Sequence, residues 1–148
     1  MPELASPRFD LPLLAVAQAQ KEITHNEALI LIDALLHPVV EGIVVEPPSL
    51  TAEDAGKCWI IGSEATGFWT GRDDALACWS GSGWRYIAPV VAMAVIDQSD
   101  GVRFLWSGSD WQRAISIDAP MGGATVDIEA RNALSILLEN LRVVGLLA

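Results

Sequence analysis

The feature that most constrains the fold of this chain is a near-repeat in its middle. The pattern Trp-Ser-Gly-Ser-x-Trp occupies residues 79–84 and recurs 27 positions later at residues 106–111. In each copy two indoles flank four residues that are small or commonly found in turns. A short loop of this kind is typical of a β-hairpin, in which the residues beside the loop lie on the same face of the two strands. The sequence therefore predicts two similar hairpins, each with a cross-strand pair of tryptophans.

Further strand signals surround these hairpins. Gly-, Ser- and Asp-rich segments separate the runs of β-branched and aromatic residues, which is typical of short antiparallel strands joined by tight connections. Phe68-Trp69-Thr70, between two glycines, predicts a short extended or turn segment with an exposed indole. The predicted strands cover residues 57–61, 75–79, 84–87, 90–96, 102–106 and 111–117.

The N-terminal part of the chain has the pattern of a long helix. From Leu13 to Leu36 no residue breaks a helix, Pro12 fits its first turn, and the His37-Pro38 step ends it. Apolar residues alternate at three- and four-residue steps, interrupted by two polar layers at Gln20 and Glu27. Hydrogen bonds that set the register of the helix, in a bundle or against the predicted strands, are expected from Gln20, His25, Asn26 and Asp33.

The C-terminal part predicts a second, amphipathic helix. A heptad-like seam is formed by Ala130, Leu134, Leu137, Leu141 and Val144, and we call it the α2 seam because it lies on the second predicted helix. Thr125 or Asp127 can cap the start of this helix, and Gly145 can end it. A helix of this length is marginal alone in water, so we expect it to pack against its own chain or against other copies.

These patterns predict an α+β protein with a long N-terminal helix, a small Trp-rich antiparallel β-meander and a C-terminal helix. The segments are residues 1–37, 38–117 and 118–148, and the two helical ends are expected to make the protein oligomeric. Cys58 and Cys78 each lie beside a tryptophan in a strand-like run. We expect two buried thiols there, with a disulfide or a surface-reactive group as the alternatives.

Composition restricts the partners. The chain has 148 residues, is 51% hydrophobic and has a formal net charge of −10. An acidic surface disfavours nucleic acid and anionic membranes, and a high apolar content favours surface buried between subunits. No basic region followed by an apolar run opens the sequence, so we expect no signal peptide, and no segment is apolar enough to span a bilayer.

The tryptophans are the main candidates for a binding surface. Indole faces stack on the apolar faces of sugar rings, so exposed tryptophans would form a carbohydrate platform, whereas buried ones would form the core of the module. Hairpin geometry predicts that the tryptophan pairs of the two repeats lie in the core. The Gly-flanked loop at residues 67–71 is therefore the candidate platform. The predicted carbohydrate-binding residues are Phe68, Trp69, Arg72 and Tyr86.

Catalytic and metal sites are not predicted. His25 and His37 are about 18 Å apart along one helix, too far to share a metal. The candidate carboxylates all lie in predicted turns, where aspartate is common for structural reasons. They are Glu64, Asp73, Asp74, Asp97, Asp100 and Asp110. We therefore expect a non-enzymatic protein without a cofactor or a metal.

A longer series of residues carries a resemblance to a known family. The series includes His25-Asn26-Glu27-Ala28-Leu29, Pro47-Pro48, Ala65-Thr66-Gly67 with Trp69-Thr70-Gly71, and the two Trp-Ser-Gly turns. It resembles an uncharacterised domain family encoded in alphaproteobacterial prophages and gene transfer agents, in proteins that look like tail fibres or related virion appendages. The resemblance covers roughly residues 9–115.

The resemblance implies a structural component of a phage-like particle, assembled in the bacterial cytoplasm and located in the virion. Its partners would be other virion proteins and further copies of itself, with a trimer as the first expectation because fibre-like appendages are usually trimeric. The β-module would then present a surface for host carbohydrate. The alternatives are a purely structural adaptor or shaft protein with all tryptophans in the core and, least favoured, a cell-wall hydrolase.

Overall fold

A computed structural model of the chain describes residues 4–15, 21–123 and 127–147. These residues form two helices and eight strands in two sheets, which confirms the predicted α+β class. Short 3-10 turns lie at Ala52–Asp54 and Gly67–Trp69. The helices and strands in chain order are α1 (Lys21–Leu36), β1 (Val39–Val40), β2 (Ile43–Val44), β3 (Cys58–Ile61), β4 (Leu76–Trp79), β5 (Trp84–Ile87), β6 (Ala94–Asp97), β7 (Arg103–Trp106), β8 (Trp111–Arg113) and α2 (Ile128–Val143).

The two sheets are copies of one arrangement. Sheet 1 has the strand order β2-β3-β4-β5 and sheet 2 the order β1-β6-β7-β8. In each sheet a two-residue strand pairs in parallel with the next strand, and the remaining pairs are antiparallel. The β-module is therefore two four-stranded sheets rather than one antiparallel meander, because both short strands come from residues 39–44 and each joins a different sheet.

The two predicted hairpins form with the same geometry. Trp79 pairs with Trp84 across β4 and β5, and Trp106 pairs with Trp111 across β7 and β8. The ring centroids are 5.3 Å apart in the first pair and 5.4 Å apart in the second. Residues 80–83 and 107–110 form the two loops, each closed by a 3.0 Å hydrogen bond from the amide of its first serine.

Each sheet has two faces, which we distinguish by the tryptophan pair of its hairpin. The indole face contains that pair, and the reverse face contains the alternate residues along the strands. In sheet 1 the indole face consists of Trp59, Ile61, Ala77, Trp79, Trp84 and Tyr86, and the reverse face of Cys58, Ile60, Leu76, Cys78, Arg85 and Ile87. In sheet 2 the indole face consists of Val95, Asp97, Phe104, Trp106, Trp111 and Arg113, and the reverse face of Ala94, Ile96, Arg103, Leu105 and Gln112.

The sheets stack with the indole face of sheet 2 against the reverse face of sheet 1. Their shared core consists of Ala34, Val40, Cys58, Ile60, Leu76, Cys78, Val95 and Phe104. A second core lies on the indole face of sheet 1 and consists of Trp59, Ile61, Ala65, Trp69 and Ala77. Sheet 1 is thus covered on both faces. In sheet 2 buried and exposed residues alternate along β7, so among the described residues its reverse face is open.

The segment before α1 is not helical at residues 13–15, so the prediction of a helix from Leu13 is wrong there, and residues 16–20 lie outside the described residues. Instead the chain folds back along α1. The buried carboxylate of Asp33 accepts hydrogen bonds from the amides of Arg8 and Phe9 at 2.9 and 2.8 Å. The Asn26 side chain bonds both backbone groups of Leu14. These hydrogen bonds set the register of α1 against the N-terminal segment, where the prediction was a bundle or the strands, and Gln20 lies outside the described residues.

Both ends of α2 follow the sequence signals. The Asp127 carboxylate accepts a 2.9 Å hydrogen bond from the Ala130 amide, and Gly145 has a positive φ of 69° after the helix. Thr125, the other predicted cap, lies outside the described residues. The carbonyl of Gly145 accepts a 3.2 Å hydrogen bond from the amide of Arg103, which fixes the end of α2 beside β7.

The cysteines form a disulfide, so the expectation of two buried thiols is wrong. Cys58 and Cys78 are direct partners on β3 and β4, with their Cα atoms 4.1 Å apart. The neighbouring pairs carry the backbone hydrogen bonds, so the cysteines occupy a non-hydrogen-bonded position, where opposite Cα atoms lie closest. Sequence reasoning placed both residues on strands but did not assign the register that brings them opposite each other.

Neither described helix is long and apolar enough to cross a membrane.

Candidate functional site

The indoles of sheet 1 form one cluster around Trp84. Its ring centroid lies 5.6 Å from that of Trp59, 5.0 Å from that of Trp69 and 5.3 Å from that of Trp79. All three contacts are edge-to-face, an arrangement that indole quadrupoles favour. Because Trp84 touches every other indole of the cluster, it fixes their relative positions.

Trp69, predicted to be the exposed aromatic of the platform, is 0% exposed, so that prediction is wrong. The 3-10 turn Gly67–Trp69 directs the indole onto the indole face of sheet 1, where it completes the second core. The same turn directs the preceding side chain outwards, and Phe68 is 84% exposed. The Gly-flanked segment forms a turn, one of the two predicted alternatives, and of its two predicted platform aromatics only Phe68 is exposed.

The other predicted platform residues lie near this turn. The hydroxyl of Tyr86 donates a 3.4 Å hydrogen bond to the carbonyl of Phe68. The guanidinium carbon of Arg72 lies 4.0 Å from the centroid of the Tyr86 ring, a cation–π contact. The fold therefore brings Phe68, Arg72 and Tyr86 together, with Trp69 buried nearby. Whether they bind a ligand stays a prediction.

A shallow groove of about 310 Å³ lies beside Phe68. Pro47 and Pro48 supply flat apolar surfaces, and Glu46 and Ser49 supply polar groups that can bind hydroxyls. The groove is lined by Glu46, Pro47, Pro48, Ser49, Gly67, Phe68 and Trp84. Sequence reasoning missed residues 46–49 as part of a site. The Pro-Pro pair indicated an extended link, but nothing in the sequence showed that the link crosses the indole face of sheet 1.

The candidate carboxylates mostly stabilise turns. Asp73 accepts hydrogen bonds from the amides of Glu64 and Ala65, at 3.3 and 3.2 Å. Burial raises the pKa of Asp97, but hydrogen bonds from Ser99 and the charge of Arg113 outweigh it and leave this pKa below its ordinary value. These contacts agree with the reading of the carboxylates as turn residues.

Asp74 and Asp110 differ from the other carboxylates because they line one groove of about 210 Å³ between the sheets. Burial raises the pKa of Asp74, and the charges of Asp73 and Asp110 add to the effect. Hydrogen bonds from Ser107 and Ser109 lower the pKa of Asp110. Within the described residues no group of three His, Cys, Asp or Glu side chains could hold a metal ion.

Comparison with protein families places the chain. The family model described as a protein of unknown function (DUF2793) matches residues 25–112. The chain therefore belongs to this family. The matched range runs from α1 into β8, so it contains sheet 1, all of sheet 2 except Arg113, and the Trp84 cluster, while α2 lies outside it. No curated protein matches the chain.

Proposed function

We propose that this DUF2793 protein is a non-enzymatic structural component of a phage-like particle, in a tail fibre or a related appendage. The observation that carries the proposal is the placement of the tryptophans. Trp59, Trp69 and Trp106 are buried, and the other three are half-buried. Edge-to-face indoles and a disulfide between adjacent strands make a stiff module, which suits a part that transmits force or holds a position. The link to phage-like particles rests on the resemblance of the sequence.

The exposed side of α2 supports the proposed association of copies. Leu134, Leu137 and Val144 of the α2 seam are exposed, while Leu138, on the adjacent stripe of the helix, is buried. Side chains of this size seldom form an exposed stripe on a helix that acts alone. We propose a homo-oligomer, with a trimer as the first expectation by analogy with fibres, assembled in the bacterial cytoplasm with other virion proteins.

Recognition of a host-surface carbohydrate is the second candidate function. It is favoured by the exposed ring of Phe68 at the groove that Pro47, Pro48 and Glu46 line. Aromatic and proline rings provide the apolar surface on which a pyranose stacks, and Glu46 provides an acceptor for its hydroxyls. Several copies in one particle would raise the avidity of a weak site.

Particle composition tests the main proposal. An epitope-tagged form of the chain is expressed in a host that produces the particles. The purified particles should contain the tagged chain, in a copy number set by the symmetry of the appendage. Labelling with an antibody against the tag should place it on the appendage in electron micrographs. A chain that is expressed and folded but absent from every particle fraction would contradict the proposal.

Titration of the purified chain with host polysaccharides tests the second candidate. Phe68→Ala should abolish a calorimetric binding signal that Met121→Ala leaves unchanged, because Met121 is 91% exposed and does not line the groove. Absence of binding to any glycan would remove this candidate. If the wild type releases shortened glycans and an Asp74→Asn variant does not, the protein is a hydrolase and the non-enzymatic assignment is contradicted.

A further inference from the structure

In the part of the chain that the structure describes, the repeated stacking leaves one sheet face without the cover that its equivalent has. The reverse face of sheet 1 is covered by the indole face of sheet 2 and by α1, with Phe104, Val95 and Ala34 in the shared core. The reverse face of sheet 2 is the equivalent face of the second sheet, and it lies at the end of the stack. Arg103 and Leu105 on this face are exposed, although their neighbours along β7 are buried.

A cavity of about 420 Å³ lies on this open face. Ala94 and Leu105 form its apolar floor, Leu146 after α2 forms one side, and Arg103 adds a positive charge. A cationic group in a chain with a net charge of −10 fits an acidic partner surface. The cavity therefore fits an apolar side chain with a carboxylate beside it.

The opposite end of the stack presents such a group. The indole face of sheet 1 is closed by the 3-10 turn that contains Phe68, which projects outwards and is 84% exposed. Glu46 lines the same groove as Phe68. The two surfaces lie on opposite ends of the stacked sheets, so the turn of one copy cannot reach the cavity of the same copy.

We infer that the Phe68 turn of one copy seats in the cavity on the reverse face of sheet 2 of a second copy, with Glu46 facing Arg103. Copies then stack head to tail, and the open face receives an aromatic cover as its equivalent in sheet 1 does. A contact between two different surfaces is heterologous, and it closes into a ring or continues as a filament. The inference rests on the proposed structural function and adds a head-to-tail contact to the association that the exposed side of α2 supports.

Light scattering after size exclusion, over a range of concentrations of the full chain, tests the inference. The wild-type chain should associate, and Phe68→Asp and Arg103→Glu should each weaken association by at least about tenfold, as central interface residues do. The double variant Glu46→Arg/Arg103→Glu should recover part of the loss, because it restores opposite charges. Met121→Asp is the control for an added charge at an exposed apolar site, and circular dichroism checks that each variant folds.

Mixing two variants provides a test that is specific to head-to-tail contacts. Phe68→Asp keeps an intact cavity and Arg103→Glu keeps an intact turn, so the mixture should form head-to-tail pairs of one copy of each variant, beyond the association that either variant shows alone. The inference is overturned by a monomeric wild type or by variants that associate like the wild type. It is also overturned if Phe68→Asp abolishes glycan binding and leaves self-association unchanged. A monomeric chain that is still incorporated into particles would overturn this inference while the proposed function stands.

Discussion

Trp84 is the residue on which the indole cluster of sheet 1 depends. It contacts Trp59, Trp69 and Trp79, so its removal opens a cavity among three large rings. Trp84→Ala should lower the free energy of unfolding by about 3–5 kcal/mol. Urea unfolding followed by far-UV circular dichroism measures this without relying on the altered fluorescence. Phe68→Ala is the matched control, because its exposed ring should cost about 0.5 kcal/mol or less. Equal losses for both variants would contradict the central position of Trp84 in the indole cluster.

The exposure of the aromatic residues is also where sequence reasoning failed at this scale. Composition and glycine placement identified the turn at residues 67–71 but could not show which of two adjacent aromatic residues points inwards. That choice depends on the 3-10 geometry of the turn and on the space above sheet 1, both of which arise from tertiary packing. The same limit applies to the cysteines, whose strands were predicted while their partnership required the register of β3 and β4.

Asp74 gives a prediction about pH. Burial raises its pKa above the unfolded value, so its ionised form opposes folding above the folded-state pKa, and this cost disappears as the pH falls below the unfolded value. Asp74→Asn should therefore raise the melting temperature at pH 7 and lose this advantage near pH 3. Asparagine also tolerates the positive φ of 67° at this position. Calorimetric scans at the two pH values measure the difference, and an advantage that is independent of pH would contradict this account.

At the scale of elements, the disulfide fixes the register of β3 and β4. Cys58 and Cys78 enclose a loop that contains Trp69, with a sequence separation of 20 residues. A loop of this size corresponds to about 3 kcal/mol of stabilisation, or about 6–12 °C in melting temperature for a domain of this length. A reductant should lower the melting temperature of the wild type by that amount and leave Cys58→Ala/Cys78→Ala unaffected. Two titratable thiols in the untreated wild type, with a melting temperature that the reductant does not change, would contradict the disulfide.

Elements with local signals were the most predictable from the sequence. Hairpin loops and the ends of α2 are determined by nearby residues such as Asp127 and Gly145, and the structure agrees with them. The start of α1 was not predictable in this way, because propensity allows a helix from Leu13 but tertiary hydrogen bonds to Asp33 and Asn26 hold the preceding chain in another conformation. The parallel strands β1 and β2 were also missed, since their partners lie far along the chain.

At the scale of the whole molecule, the repeat in the sequence corresponds to a repeat in the fold with one difference. The connection between β3 and β4 spans residues 62–75, and it carries the turn that covers the indole face of sheet 1. The connection between β6 and β7 spans only residues 98–102 and carries no such cover. Sheet 2 instead uses sheet 1 as the cover of its indole face. The short connection thus leaves the indole face of sheet 2 free to stack on sheet 1.

Two neighbouring residues on β7 test this architecture, since Phe104 lies in the core shared by the sheets and Leu105 lies on the open face. Phe104→Ala should cost about 3–5 kcal/mol, whereas Leu105→Ala should cost about 1 kcal/mol or less. Because the core is shared, Phe104→Ala should lower amide protection in hydrogen exchange in both sheets. Protection lost in sheet 2 alone would show that the sheets unfold separately. The reverse faces of the two sheets would then not be equivalent. There would be no reason to expect a partner on the reverse face of sheet 2.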